Sequence, residues 1–141
     1  MKTVSLSSHC PCLSKKSYEK CCKPYHDGKE AENALILMRS RYSAYALCLT
    51  DYIIKTTDPK NPAYQKNTQE KWREEILTFC HNTLFMDLKI LAFEESPNNA
   101  TVIFTAHLQA KEQNKDISFT EKSSFNKSND HWLYESGELL P

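Results

Sequence analysis

The chain has 141 residues, 40% of them hydrophobic and 11% aromatic, enough to bury one core but hardly two. Its 18 basic residues are matched by 18 acidic ones, which lacks the basic excess typical of nucleic-acid binders and makes RNA or ribosome binding the weakest functional reading. No segment has the length of a membrane span, and the polar stretch from Met1 to His9 lacks the apolar centre of a signal peptide. The expected location is therefore the cytoplasm, where thiols stay reduced.

In chain order, the first informative element is a cysteine cluster, Cys10-Pro11-Cys12 and, after eight residues, Cys21-Cys22. Two paired elements joined by a loop that folds back bring four soft ligands to tetrahedral distance, the requirement of a closed structural Zn²⁺ site. A disulfide framework belongs to secreted domains, and a vicinal Cys21-Cys22 redox pair leaves Cys10 and Cys12 unexplained. Four thiolates on one Zn²⁺ carry a net charge of minus two. Lys15, Lys16, Lys20 and Lys23 lie beside the motif to neutralise it, or to offer a basic docking surface. His9 and His26 flank the cluster and read as surface or supporting groups. Residues 1–28 are assigned to this knuckle and residues 29–141 to one compact domain.

In that domain Leu35, Met38, Tyr42, Tyr45 and Leu49 recur at helical steps and predict a helix over 30–49. Thr50 or Asp51 is expected to cap a short second helix through Thr57, and Asp58 to Lys66 reads as loop because of Pro59 and Pro62. Asn67 with Glu70 suggests a capping box for a third helix with Trp72, Ile76, Phe79 and Cys80 on its inner stripe. Cys48 and Cys80 read as small packing residues. Beyond Asn82 the period becomes two. Leu84, Met86, Leu88, Ile90 and Ala92 alternate, a turn at Ser96 to Asn99 follows, and Val102, Phe104, Ala106, Leu108 and Ala110 alternate again. A third strand carries Ile117, Phe119, Glu121, Ser123 and Phe125, and a fourth Trp132 and Tyr134. The fold class is α+β: three helices on a curved antiparallel sheet of about four strands.

Two sets of residues bring known families into view. Cys10-Pro11-Cys12, the loop with Ser14, Lys16 and Tyr18, and Cys21-Cys22 resemble the SEC-C zinc motif of the preprotein-translocase ATPase SecA. Members of that family carry glycines where this chain has Leu13 and Lys15, positions at which glycine permits positive φ. The run Leu37 to Tyr45, Asp51-Tyr52, Glu121 to Phe125 and Trp132-Leu133-Tyr134 resemble the YchJ family of uncharacterised bacterial proteins. The resemblance implies a SEC-C motif, with Cys10, Cys12, Cys21 and Cys22 as zinc ligands, followed by a cone-shaped domain similar to nuclear transport factor two. It implies no reaction. Some relatives end with a second SEC-C motif, where this chain stops at Pro141.

A cone of this kind often leaves a pocket between helices and sheet. Glu121 and Ser123 stand on the strand face expected to point inward, where a carboxylate needs a partner. Arg39 and Arg41 are candidate partners, of which at most one enters the pocket because they are two positions apart. Tyr42, Tyr45, Tyr52 and Trp132 are expected as aromatic walls. An arginine–glutamate pair is as compatible with a helix-to-sheet tie as with chemistry, and no nucleophile, base and metal converge in the sequence. Three functions follow. The first is a binding or adaptor module whose zinc knuckle docks a protein partner. The second is a small enzyme or small-ligand-binding protein using the concavity around Glu121, and the weakest is RNA binding through the lysines.

Overall fold

The structure, a computed structural model, describes residues 5–66 and 68–141. The chain opens with a 3₁₀ turn at Tyr18–Lys20 and a single helical turn, α1, at Lys23–His26. There follow α2 (Ala34–Leu47), α3 (Thr50–Lys55), α4 (Pro62–Lys66) and α5 (Gln69–His81). The strands are β1 (Thr83–Glu95), β2 (Asn99–Ala110), the two-residue β3 (Lys115–Asp116), β4 (Phe119–Ser128) and β5 (His131–Leu140). They form one antiparallel sheet in the order β1-β2-β4-β5, with β3 on β2, so the α+β reading holds and the helices are gathered on one face.

The first long helix is shorter than the periodicity suggests. Asn33 caps α2 by accepting from the Ile36 amide at 2.8 Å, and Cys48 ends it in a left-handed conformation at φ 61°. Its buried residues run round the cylinder, from Ala34, Leu37 and Met38 to Ser40, Arg41, Tyr42, Ser43, Ala44 and Leu47, because the sheet, α3 and the cysteine knuckle enclose it on different sides. Leu49, not Thr50 or Asp51, occupies the N-cap of α3. Asp51 instead ties α3 to Arg73 of α5. The stretch read as loop contains α4, started by Pro62 and by the Asn61 side chain, which accepts from the Ala63 amide. The cap of α5 is Thr68, which accepts from the Lys71 amide; the Asn67 capping expectation lies outside the described residues. Trp72, Ile76 and Cys80 are buried as expected, but Phe79 is 38% exposed.

In β1 the simple alternation fails. Leu84 and Met86 are 39% and 56% exposed, whereas Thr83 and Leu88 are buried and Phe85 packs against the core. A register shift between Phe85 and Asp87 accounts for this, since one extra residue in a strand exchanges its two faces. A second shift in β1 lies between Ile90 and Ala92, and a third, between Ser124 and Phe125, leaves Glu135 as the extra residue of β5, which runs to Leu140. Asn129 and Asp130, at φ 52° and 64°, make the β4–β5 turn, matching the twist of the strands it joins. The main core lies between α2 and the sheet, a second cluster lies between α2, α3 and α5, and a third joins Cys10, Cys12, Tyr18 and Cys22 to Leu47 and Leu49. Among the described residues no helix is long and apolar enough to cross a membrane.

Candidate metal centre and ligand cavity

The knuckle is a short folded-back ribbon. His9 and Ser17 form an antiparallel bridge, the Cys10 amide donates to the Lys16 carbonyl at 2.8 Å, and the Leu13 amide turns back onto the Cys10 carbonyl at 3.0 Å. These bonds place Cys10 and Cys12 opposite Cys21 and Cys22, which lead into α1. Leu13 and Lys15 adopt φ of 66° and 74°. The turn therefore keeps the left-handed backbone that favours glycine although neither residue is one.

The four sulfurs lie within 4.8 Å of one another, with Cys12 to Cys21 at 3.5 Å and Cys21 to Cys22 at 3.9 Å. A tetrahedron with metal–sulfur bonds of about 2.3 Å has edges of about 3.8 Å, so this donor set could hold a metal ion. As bare thiols the group is electrostatically awkward. Cys12 accepts from Cys10 and Cys22 and is held far below the ordinary thiol range. Cys10 is pushed up to about 12 by sharing that bond with Cys12, and Cys22 is pushed up by its bond to Cys10. Of these three, Cys12 is the thiol that ionises readily, whereas a bound cation would favour the thiolate form of every ligand.

The knuckle is built onto the domain. His26 sits between them, its Nε2 donating to the Ser40 carbonyl at 2.8 Å and its Nδ1 accepting from the Tyr18 hydroxyl at 2.7 Å. These contacts suit a neutral ring with its proton on Nε2. Burial lowers its pKa and pushes the Tyr18 phenol up to about 12. Arg39 donates from Nη1 to the Cys12 carbonyl at 3.2 Å. Tyr52 shares a 2.7 Å hydrogen bond with Ser40 and packs edge-on to His26. His9 is exposed.

On the other side of α2 the helices and sheet enclose a cavity of about 360 Å³ whose lining includes Arg41, Tyr42, Tyr45, Glu121 and Ser123. Phe79, Phe85, Phe104 and Phe119 make much of its wall. Three expected pocket residues are corrected. Arg39 and Tyr52 face the knuckle side of α2, and Trp132 is buried in the sheet core with Lys127 over its ring. The expected Arg–Glu pair is also absent: among the described residues no carboxylate lies within ion-pair distance of Arg41. Its Nη1 donates to the Ile53 carbonyl and the Thr56 and Thr57 hydroxyls, at 3.0, 2.7 and 3.1 Å. Its guanidinium stacks on Tyr134, 4.6 Å from the ring centroid.

Glu121 is held from another direction. Its Oε2 accepts from Ser123 at 2.5 Å and from the Tyr134 hydroxyl at 3.2 Å. A Cβ at Gly137, the residue opposite Ser123 on β5, would collide with that carboxylate and with the Tyr134 hydroxyl. Glycine there makes room for the network. Tyr45 and Tyr134 have phenols raised by burial, which keeps both as neutral hydroxyls. Sequence reasoning missed Tyr134 as a cavity residue. The hint was its place on the same strand as Gly137, one of only two glycines in the chain.

Comparison with known proteins accords with both parts. Residues 33–137 match a family described as YchJ, middle NTF2-like domain. A UPF0225 protein of Pectobacterium carotovorum is 34% identical over 137 residues, covering 94% of this chain and 84% of its own. One from Yersinia pestis is 34% identical over 135 residues with the same coverage. Among solved structures, a SEC-C motif containing protein from Rhodopseudomonas palustris superposes with a TM-score of 0.79 at 32% identity, over 95% of this chain and all of that one. A second, from Psychrobacter arcticus, gives 0.73 at 26%, over 96% and 85%. A SnoaL-like polyketide cyclase from Agrobacterium tumefaciens shares the fold alone, with a TM-score of 0.55 at 6% identity over 78% and 93%.

Proposed function

The chain belongs to the YchJ family of UPF0225 proteins, and on that premise we propose that it is a small-ligand-binding protein whose cysteine knuckle is locked by a structural Zn²⁺. The observation that carries the reading is the cavity of about 360 Å³ behind α2, walled by aromatic rings and provided with a few polar groups, the composition of ligand sites in general. Binding is favoured over catalysis because Ser123, the hydroxyl that donates to Glu121, is 1% exposed and too enclosed to meet a bound molecule, although a hydroxyl on a carboxylate is otherwise how a nucleophile is activated. The test is titration of the zinc-loaded protein with the fluorescent apolar anion 8-anilinonaphthalene-1-sulfonate. One saturable site is expected, lost in Ala106→Trp, which fills the cavity from β2, with the melting transition retained. Equal binding by that variant refutes the reading.

Zinc is chosen because four cysteine sulfurs at these spacings suit a closed tetrahedral shell. A closed shell leaves no position for substrate, so the metal contributes folding energy rather than chemistry. Metal analysis is expected to return one zinc per chain, and chelation to lower the melting temperature; a different metal, or none, refutes this assignment. The adaptor role proposed for the knuckle draws support from its outer side, where Leu6 and Leu13 are exposed beside Lys15, Lys16 and Lys20. Cys12→Ser would then abolish capture of a protein partner while the cone stays folded.

A further inference from the structure

We propose that the cavity takes a small apolar molecule bearing both a carboxylate and an amine, an α-amino acid with an aromatic or aliphatic side chain being the simplest of the class. The proposal deepens the ligand-binding reading above and rests on it. Arg41 is 7% exposed, yet only its Nη1 edge is engaged by protein. Its Nε and Nη2 have no hydrogen-bond partner among the described residues, and the side chain borders the cavity. A buried guanidinium without a counter-ion is costly, and its planar fork matches a carboxylate at two points. Trp132 Nε1 is the only fully buried side-chain polar atom without a partner among the described residues, so Nε and Nη2 of Arg41 are open rather than sealed in, and an anion entering the cavity is the partner they can take.

An anion alone does not satisfy the site, because Glu121 lines the same space. Both hydroxyl donors, Ser123 and Tyr134, go to its Oε2, and no hydrogen bond engages Oε1 among the described residues. A monoanion would meet that carboxylate's field, whereas a zwitterion answers both charges at once. The spacing is set by one side chain. Tyr134 carries the guanidinium on its ring at 4.6 Å and Glu121 on its hydroxyl at 3.2 Å, which keeps the two charges within about 10 Å. An amino-acid head, paired on each side by contacts of about 2.8 Å, spans such a gap. The Tyr45 hydroxyl, on the same wall and without a hydrogen-bond partner among the described residues, offers a further neutral contact. The ligand's apolar part has Phe79, Phe85, Phe104 and Phe119 to pack against.

Four probes of one shape test this on the metal-loaded chain by calorimetry and by amide NMR shifts: phenylalanine, 3-phenylpropanoate, 2-phenylethylamine and 2-phenylethanol. Phenylalanine is expected to bind at least tenfold more tightly than any of the other three. Arg41→Met should reduce it to the affinity of the amine, and Glu121→Gln to that of the acid. Should Arg41→Met fail to fold, the wild-type ranking and Glu121→Gln still decide. If 3-phenylpropanoate equals phenylalanine, or 2-phenylethanol does, the cavity reading survives and the zwitterion inference falls. If none of the four shifts a cavity residue, both fall.

Discussion

Gly137→Ala probes the buried polar network with one added methyl group. The new Cβ would collide with the Glu121 carboxylate and the Tyr134 hydroxyl, and both are the far ends of side chains, so they move rather than the strand. What is lost is the arrangement in which Oε2 accepts from Ser123 and Tyr134. Hydrogen bonds to a charged group are worth about 1.5–3 kcal/mol each when fully buried. Glu121 is only half-buried and regains water when it turns, so the loss is a fraction of that sum. Alanine recovers about 0.4–1 kcal/mol by restricting the unfolded chain, since Gly137 does not need positive φ. The net expectation is about 1–2 kcal/mol of destabilisation, or about 3–7 °C in the melting temperature of a domain this size. The assay is a double-mutant cycle by urea and thermal unfolding. In a Glu121→Ala, Tyr134→Phe background the colliding atoms are gone, and Gly137→Ala should become neutral or stabilising. An equal penalty in both backgrounds would show that Gly137 serves the backbone and not the network.

Two further outcomes follow from the knuckle. Lys15→Gly relieves an exposed residue held at φ 74° and should stabilise the head by about 1 kcal/mol; if metal binding and head folding are one process, zinc is then retained about fivefold more strongly against a competing chelator, and unchanged retention sinks the argument. His26 has its pKa lowered by burial, so above the unfolded value of about 6.5 its neutral form costs nothing, while below it the unfolded chain takes up a proton the native ring resists. Stability should therefore fall as pH drops from about 6.5 through the folded pKa, with a limiting slope of about 1.4 kcal/mol per pH unit. The readout is the difference between wild type and His26→Gln from pH 7.5 to 5.5, which cancels thiolate protonation common to both. Parallel curves would exclude His26.

The legible parts of the chain were those where chemistry is local. Four cysteines within one short loop limit their own geometry, and the two-residue period of β2 and β4 survives because both strands are paired on both sides. Local pattern fails where a distant contact decides. Nothing in the run from Thr83 to Ala92 announces the shift at Met86, which puts Phe85 and Leu88 on the same core although they are three apart. The sequence reads Trp132 as an aromatic wall of the pocket, yet Tyr134 is the one that reaches Arg41 and Glu121. The extra residue at Glu135 keeps Tyr134 and Gly137 on one face of β5 although they are three apart. Arginine position was half legible. Spacing said that Arg39 and Arg41 diverge, but only the packed knuckle says which way each goes.

That divergence explains how two sites can share one helix. Successive residues of an α-helix point about 100° apart, and Arg39, Ser40 and Arg41 each make a different attachment. Arg39 holds the carbonyl of Cys12, a residue of the cysteine cluster. Ser40 takes His26 on its carbonyl and Tyr52 on its hydroxyl. Arg41 reaches the end of α3 and the cavity. A small rotation of α2 cannot improve one of these without loosening another, because all three are made by short polar contacts on a helix buried nearly all round. The knuckle thus fixes the roll of α2, and that roll aims the Arg41 guanidinium. A four-cysteine cluster that could hold a metal ion is thereby tied through short polar contacts to the same helix that carries the cavity's buried positive charge.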